Sequence, residues 1–104
     1  MDNLYIAATA TSPEVDFRFD QHQLLLRGES YPENAAAFYA PVIEQLRQYL
    51  AESTGAVITV DVVLTYFNSS STKMLFSVFD ALDRAASAGN QVQEIGRASC
   101  RERV

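Results

Sequence analysis

Hydrophobic and polar residues alternate along this chain with two different periods, and each change of period marks an element. Val15, Phe17 and Phe19 alternate with Asp16, Arg18 and Asp20, the two-residue period of a half-buried strand. Asp20-Gln21-His22-Gln23 then turns the chain into Leu24-Leu25-Leu26-Arg27, which completes a hairpin. A short edge strand over residues 4 to 7 precedes it, set apart by the polar, turn-like stretch Thr9 to Pro13. At Ser30-Tyr31-Pro32-Glu33-Asn34 a hydroxyl is followed three residues later by Glu33, the form of a capping box, with Pro32 in a first turn that tolerates its missing N–H. Phe38, Val42, Ile43, Leu46, Tyr49 and Leu50 then recur at helical steps. A helix to about Ala51 gathers them on one stripe and turns Glu44, Arg47 and Gln48 to water.

Thr54-Gly55 ends this helix. Ala56 to Leu64 is dense in β-branched residues, which predicts a central strand covered on both faces. The period lengthens again near Ser70, where Leu75, Phe79, Leu82 and Ala86 share a stripe flanked by Met74, Val78 and Ala85, until Ala88-Gly89-Asn90 closes the helix. Val92 begins a further strand. Strands, helix, strand, helix and the start of a strand make an α/β order. Right-handed crossovers place both main helices on one face of a small mixed β-sheet.

The 104 residues, 48% hydrophobic, suffice for one core and not for two. A net charge of −5 with no basic cluster argues against nucleic acid or an anionic membrane as partner, which leaves a protein or a small molecule. No apolar run approaches the ~20 residues of a membrane span, and Met1-Asp2-Asn3-Leu4-Tyr5 lacks a basic signal region, so a cytoplasmic protein is expected. From Glu94 the character changes: residues 94–104 fit no amphipathic period and hold three of the eight Lys and Arg residues. Back-translated, they look like a common sequencing adapter read in frame. This predicts a domain over residues 1–93 and a non-native tail over 94–104. Cys100, the only cysteine, lies in that tail, so no disulfide, metal site or thiol nucleophile is expected, in keeping with a reducing compartment.

The chemistry concentrates in Asn68-Ser69-Ser70-Ser71-Thr72, where a strand feeds a helix. The first N–H groups of a helix are unpaired and its dipole is positive there, so a phosphate on one of these hydroxyls has leverage. Capping accounts for one side chain, Asn68 or Ser69, at ~1 kcal/mol, and leaves the others as polar filler or as a modification site. A serine hydrolase would use a similar strand-to-helix turn, but the G-x-S-x-G pattern is absent. His22, the only histidine, reads as a solvated turn residue without a partner. The scattered acidic residues suggest neither a carboxylate pair nor a metal cage, and no cofactor is expected. Tyr31, Tyr39, Tyr49 and Tyr66 read as core or rim. Tyr66 and Phe67 precede the hydroxyls as binding anchors, or else one is buried and the other lies at the rim.

Two segments together resemble the SiaC family of bacterial regulatory phosphoproteins: Gly28-Glu29-Ser30-Tyr31-Pro32-Glu33-Asn34, and the run from Leu64 through Asn68-Ser69-Ser70-Ser71-Thr72-Lys73 to Leu75. The likeness covers most of residues 4 to 93. It implies a STAS-like architecture similar to anti-sigma-factor antagonists, in which a serine opening a helix is phosphorylated. Asn68-Ser69 stands at that place. It further implies a partner switch. A protein kinase adds the phosphate, a PP2C-type phosphatase removes it, and the unmodified form binds and activates a diguanylate cyclase, with cyclic di-GMP output and biofilm formation following. On this reading Ser69 is the acceptor, with Ser70, Ser71 and Thr72 as alternatives, although the family's acceptor is typically threonine. Tyr31, Pro32, Glu33, Asn34, Tyr66, Phe67, Asn68, Ser70 and Lys73 form the partner surface, and the chain is no enzyme. The family's last strand and helix are expected to be missing. The alternative function is a STAS-like antagonist that sequesters an anti-sigma kinase; a small hydrolase is a third class.

Overall fold

The alternating segments form the expected hairpin. In the structure, a computed structural model describing residues 2–95, β2 (Glu14–Arg18) and β3 (Gln23–Ser30) pair antiparallel, with Val15 opposite Leu26 and Phe17 opposite Leu24. A 3-10 turn, Phe19–Gln21, joins them. The short strand β1 (Leu4–Ile6) adds antiparallel to β2 at one edge. The chain then crosses through α1 (Ala35–Glu52) to β4 (Val57–Phe67), and through α2 (Ser69–Ser87) to β5 (Gln91–Ile95). Both crossovers make parallel pairs, so the sheet is mixed, in the order β1-β2-β3-β4-β5. The strand expected to begin at Val92 is therefore present as β5. Its backbone ladder continues past Gln93, with Glu94 opposite Val60 and Ile95 opposite Asp61. Residues 96–104, the rest of the expected tail, lie outside the described residues.

The core lies between one face of the sheet and both helices. Val15, Phe17, Leu24, Leu26, Ile58, Val60, Val62 and Leu64 are buried from the strands; Tyr39, Val42, Leu46, Leu75, Val78 and Leu82 meet them from the helices. Burying each such side chain contributes about 1.5–3 kcal/mol. Among the described residues no helix lies on the other face of the sheet: Asp16, Leu25, Thr59 and Asp61 are half-buried there, and Arg27 and Val63 are exposed. This corrects the reading of β4 as a central strand covered on both faces. Among the described residues it is fourth of five strands and covered on one face, so its β-branched density reflects the pleated backbone rather than double burial.

Both helices depart from their expected starts. The capping box does not form: Ser30 ends β3 opposite Phe67, so its backbone is committed to the sheet. Asn34 caps α1 instead, its side chain accepting from the Ala37 N–H at 3.1 Å. α2 starts at Ser69, one residue early, and its buried stripe is Leu75, Val78, Ala81, Leu82 and Ala85, with Phe79 half-buried and Ala86 exposed. At the far end the Asn90 amide donates to Ser53 O and Ala85 O and accepts from the Ala56 N–H, so one buried side chain joins both helix ends to the start of β4.

Candidate functional site: the turn into the second helix

Strand β4 loses its alternation just before it ends. Gly28 pairs with Leu64 but Glu29 pairs with Tyr66, so Thr65 is an extra residue at that step of the ladder. The bulge reverses the parity of the residues beyond it. Tyr66, which would otherwise face the helices, is 52% exposed, and Phe67 turns partly onto the core. Opposite the bulge Gly28 has φ +123°, where a side chain is strained. A Cβ there would meet Pro13 Cα only at 3.6 Å, so the backbone angle rather than crowding calls for glycine.

The bulge also brings the two sequence motifs together. Tyr66 meets the half-buried ring of Tyr31 edge-on, with centroids 5.5 Å apart. Beneath them Asn68 caps α2: its Oδ1 accepts from the Ser71 N–H at 2.9 Å, and its carbonyl accepts from the Thr72 N–H at 2.9 Å and Thr72 Oγ1 at 3.0 Å. Its own N–H donates to the Ser30 carbonyl at 3.1 Å. The Ser30 hydroxyl donates to Ser71 Oγ at 2.8 Å, which uses its one hydrogen, so the Tyr39 hydroxyl at 2.6 Å is the donor to Ser30. Ser30, Tyr39 and Ser71 are all inaccessible to solvent, and burial pushes the Tyr39 phenol up to about 12.

These bonds divide the hydroxyl run. Ser71 is buried and Thr72 is half-buried and bonded to Asn68, whereas Ser69 and Ser70 are exposed on the first turn of α2, with Lys73 exposed one turn further. Pro32 is half-buried between Tyr31 and the exposed Glu33, and Asn34 serves α1 as its cap. Tyr31, Tyr66 and Asn68 to Lys73 thus share the end of the sheet where β3 and β4 finish, and Pro32, Glu33 and Asn34 lead away from it into α1. The inward hydroxyl of Ser30 lies outside the sequence-based expectations. The available signal was the period of β3, since Ser30 has the same parity as Leu24 and Leu26.

His22 does have a partner. It takes a left-handed conformation, φ 55°, and its Nδ1 hydrogen-bonds the Tyr49 hydroxyl, while the Tyr49 ring stacks on Phe19 at 4.7 Å. Gln23 and Ser30 lie at opposite ends of β3, and seven strand steps span on the order of 20 Å. His22 therefore cannot act as base for Ser69, which argues against a serine hydrolase. Among the described residues there is no group of three or more His, Cys, Asp or Glu side chains placed to hold a metal, and no helix long and apolar enough to cross a membrane.

Comparison with known proteins points the same way. Residues 6–95 match the model of the SiaC family regulatory phosphoprotein. An uncharacterized protein of Pseudomonas aeruginosa (strain UCBPP-PA14) is 30% identical over 92 residues, which cover 88% of this chain and 72% of that protein. The crystal structure of apo-SiaC from P. aeruginosa superposes with a TM-score of 0.85 at 30% identity, covering 90% of this chain and 77% of that one. A chain in the P. aeruginosa complex of the diguanylate cyclase SiaD with its activator SiaC gives 0.81 at the same identity, covering 88% and 74%. Fold and family model agree, and the chain belongs to the SiaC family of regulatory phosphoproteins.

Proposed function

We propose that this chain is a non-enzymatic, cytoplasmic partner-switching adaptor, controlled by phosphorylation of Ser69, whose unmodified form binds and activates a diguanylate cyclase. A protein kinase and a PP2C-type phosphatase act on the same hydroxyl. The observation that carries the reading is the division of the hydroxyl run: Ser71 and Thr72 have internal bonds, and Ser69 and Ser70 lie exposed at a helix start. An enzyme must reach its acceptor, which favours the exposed pair. The cyclase as partner is supported by the P. aeruginosa relative, which is the activator of one. Tyr31 and Tyr66 offer that partner an aromatic contact beside the acceptor, Pro32 an apolar one, and Lys73 the nearest cation along the helix. A phosphate adds ~1.5 to 2 negative charges and three acceptor oxygens, and on an acidic protein it disrupts a contact made to the neutral hydroxyl.

The test compares Ser69→Ala and Ser69→Asp in binding to the cognate cyclase. Ser69→Ala stays bound in the presence of kinase and ATP, and Ser69→Asp binds about tenfold more weakly, the carboxylate standing in partly for phosphate. Mass spectrometry then places the phosphate on Ser69 in the wild type. Full phosphorylation of Ser69→Ala with release from the cyclase moves the acceptor to Ser70.

A further inference from the structure

Ser30 has three partners at the root of the hydroxyl turn. Its carbonyl accepts from Asn68, its hydroxyl donates to Ser71, and the same oxygen receives Tyr39. Asn68 in turn accepts from the Ser71 N–H, so Ser30, Asn68 and Ser71 close a ring of hydrogen bonds from which Ser69 and Ser70 project as the outer loop. Tyr39 ties that ring to α1. Solvent reaches none of the three hydroxyls, so a missing member leaves its neighbour unpaired rather than hydrated.

We infer that Ser30 is a positioning residue for the phosphoacceptor turn: it fixes the rotation of the first turn of α2, and thereby which of the two exposed serines stands beside the Tyr31–Tyr66 pair. Because Ser30 is followed directly by Tyr31 and its carbonyl receives Asn68, the aromatic contact and the acceptor turn move as one unit. The choice between serines rests on the proposed phospho-switch; the mechanical coupling does not.

The test is amide hydrogen exchange, followed by NMR, on the wild type, Ser30→Ala and Tyr39→Phe. Tyr39→Phe keeps the ring and removes only the distant end of the chain of hydroxyls. Exchange at Ser71 and Thr72 rises about tenfold in Ser30→Ala and about threefold in Tyr39→Phe, while Leu82 in the middle of α2 stays within about twofold. Unchanged exchange at Ser71 and Thr72 in both variants, or a rise shared equally by Leu82, overturns the coupling. Should Ser30→Ala fail to fold, Tyr39→Phe decides the matter by the same criterion. Phosphopeptide mapping supplies the second arm, in which phosphate confined to Ser69 in the wild type spreads to Ser70 in Ser30→Ala. Phosphate that stays on Ser69 alone in that variant overturns the claim on serine choice. A wild type that takes no phosphate on either serine refutes the switch, and the exchange data still decide the coupling.

Discussion

The two helices begin in nearly the same way and end up doing different things. Asn34 and Asn68 both cap with an extended backbone, and the side chain of each accepts from the N–H three residues on. Neither first turn contains an acidic residue. After the cap, α1 continues Ala35-Ala36-Ala37, good helix formers with nothing to bond, and α2 continues Ser69-Ser70-Ser71-Thr72, poorer helix formers rich in hydroxyls. Since one asparagine suffices to cap α1, capping does not explain the serines of α2. Burial against Ser30 explains Ser71 and the bond to Asn68 explains Thr72. What remains after subtracting α1 from α2 is Ser69 and Ser70.

The largest expected effect bears on the tie that joins the start of α2, through Ser30, to Tyr39 of α1. Tyr39 holds its proton to about 12 in the folded protein against 10 for a free phenol, because burial disfavours the phenolate. The unfolded chain thus releases this proton first as pH rises. Its contribution is intact below pH 10 and is lost through the window up to about 12, at about 1.4 kcal/mol per pH unit and roughly 2–3 kcal/mol in all. Urea unfolding across this window should show the loss in the wild type and a shallower fall in Tyr39→Phe. Equal slopes would mean that the phenol is not held neutral by the fold.

Next in size is a swap at equivalent positions. Ser71 and Ala37 are each third in their helix, yet one is buried under Ser30 and the other is exposed. Ser71→Ala leaves the Ser30 hydroxyl without its acceptor and should cost about 1–3 kcal/mol, whereas Ala37→Ser should stay within about 0.5 kcal/mol. Chemical denaturation measures both. Equal costs would show that the two helix starts are held by their caps alone.

The same contrast explains what could be read from the sequence. Periodicity placed the hairpin, both helices, the α/β order and the mixed sheet, because each depends on neighbours a few residues apart. It failed where a distant strand decides. The Ser30-to-Glu33 match to a capping box is local, but the pairing of Ser30 with Phe67 keeps that residue in the sheet, and its hydroxyl donates to a residue 41 positions away. The exposure of Tyr66 depends on the bulge at Thr65, which appears only in the register against Gly28 and Glu29. His22 read as solvated because its partner, Tyr49, lies on a helix 27 residues on. The hydroxyl run stood out as more than a cap requires, and the separation of Ser69 and Ser70 from Ser71 and Thr72 needed the fold.

The smallest expected effect is also the one on which the subtraction depends. If Ser69 and Ser70 carry no structural task, then Ser69→Ala and Ser70→Ala should each change stability by less than about 0.5 kcal/mol, as exposed substitutions away from caps and cores do. Alanine is moreover the better helix former, so the sign should lean toward stabilisation. The Asn68 cap, the Ser30–Ser71 bond and the Tyr31–Tyr66 contact are untouched by either change, so the urea midpoints should match the wild type. A loss above about 1 kcal/mol for either variant, on the scale of a lost cap, would give that serine a place in the fold. The surplus at the start of α2 would then shrink to a single hydroxyl, and that one would be the acceptor.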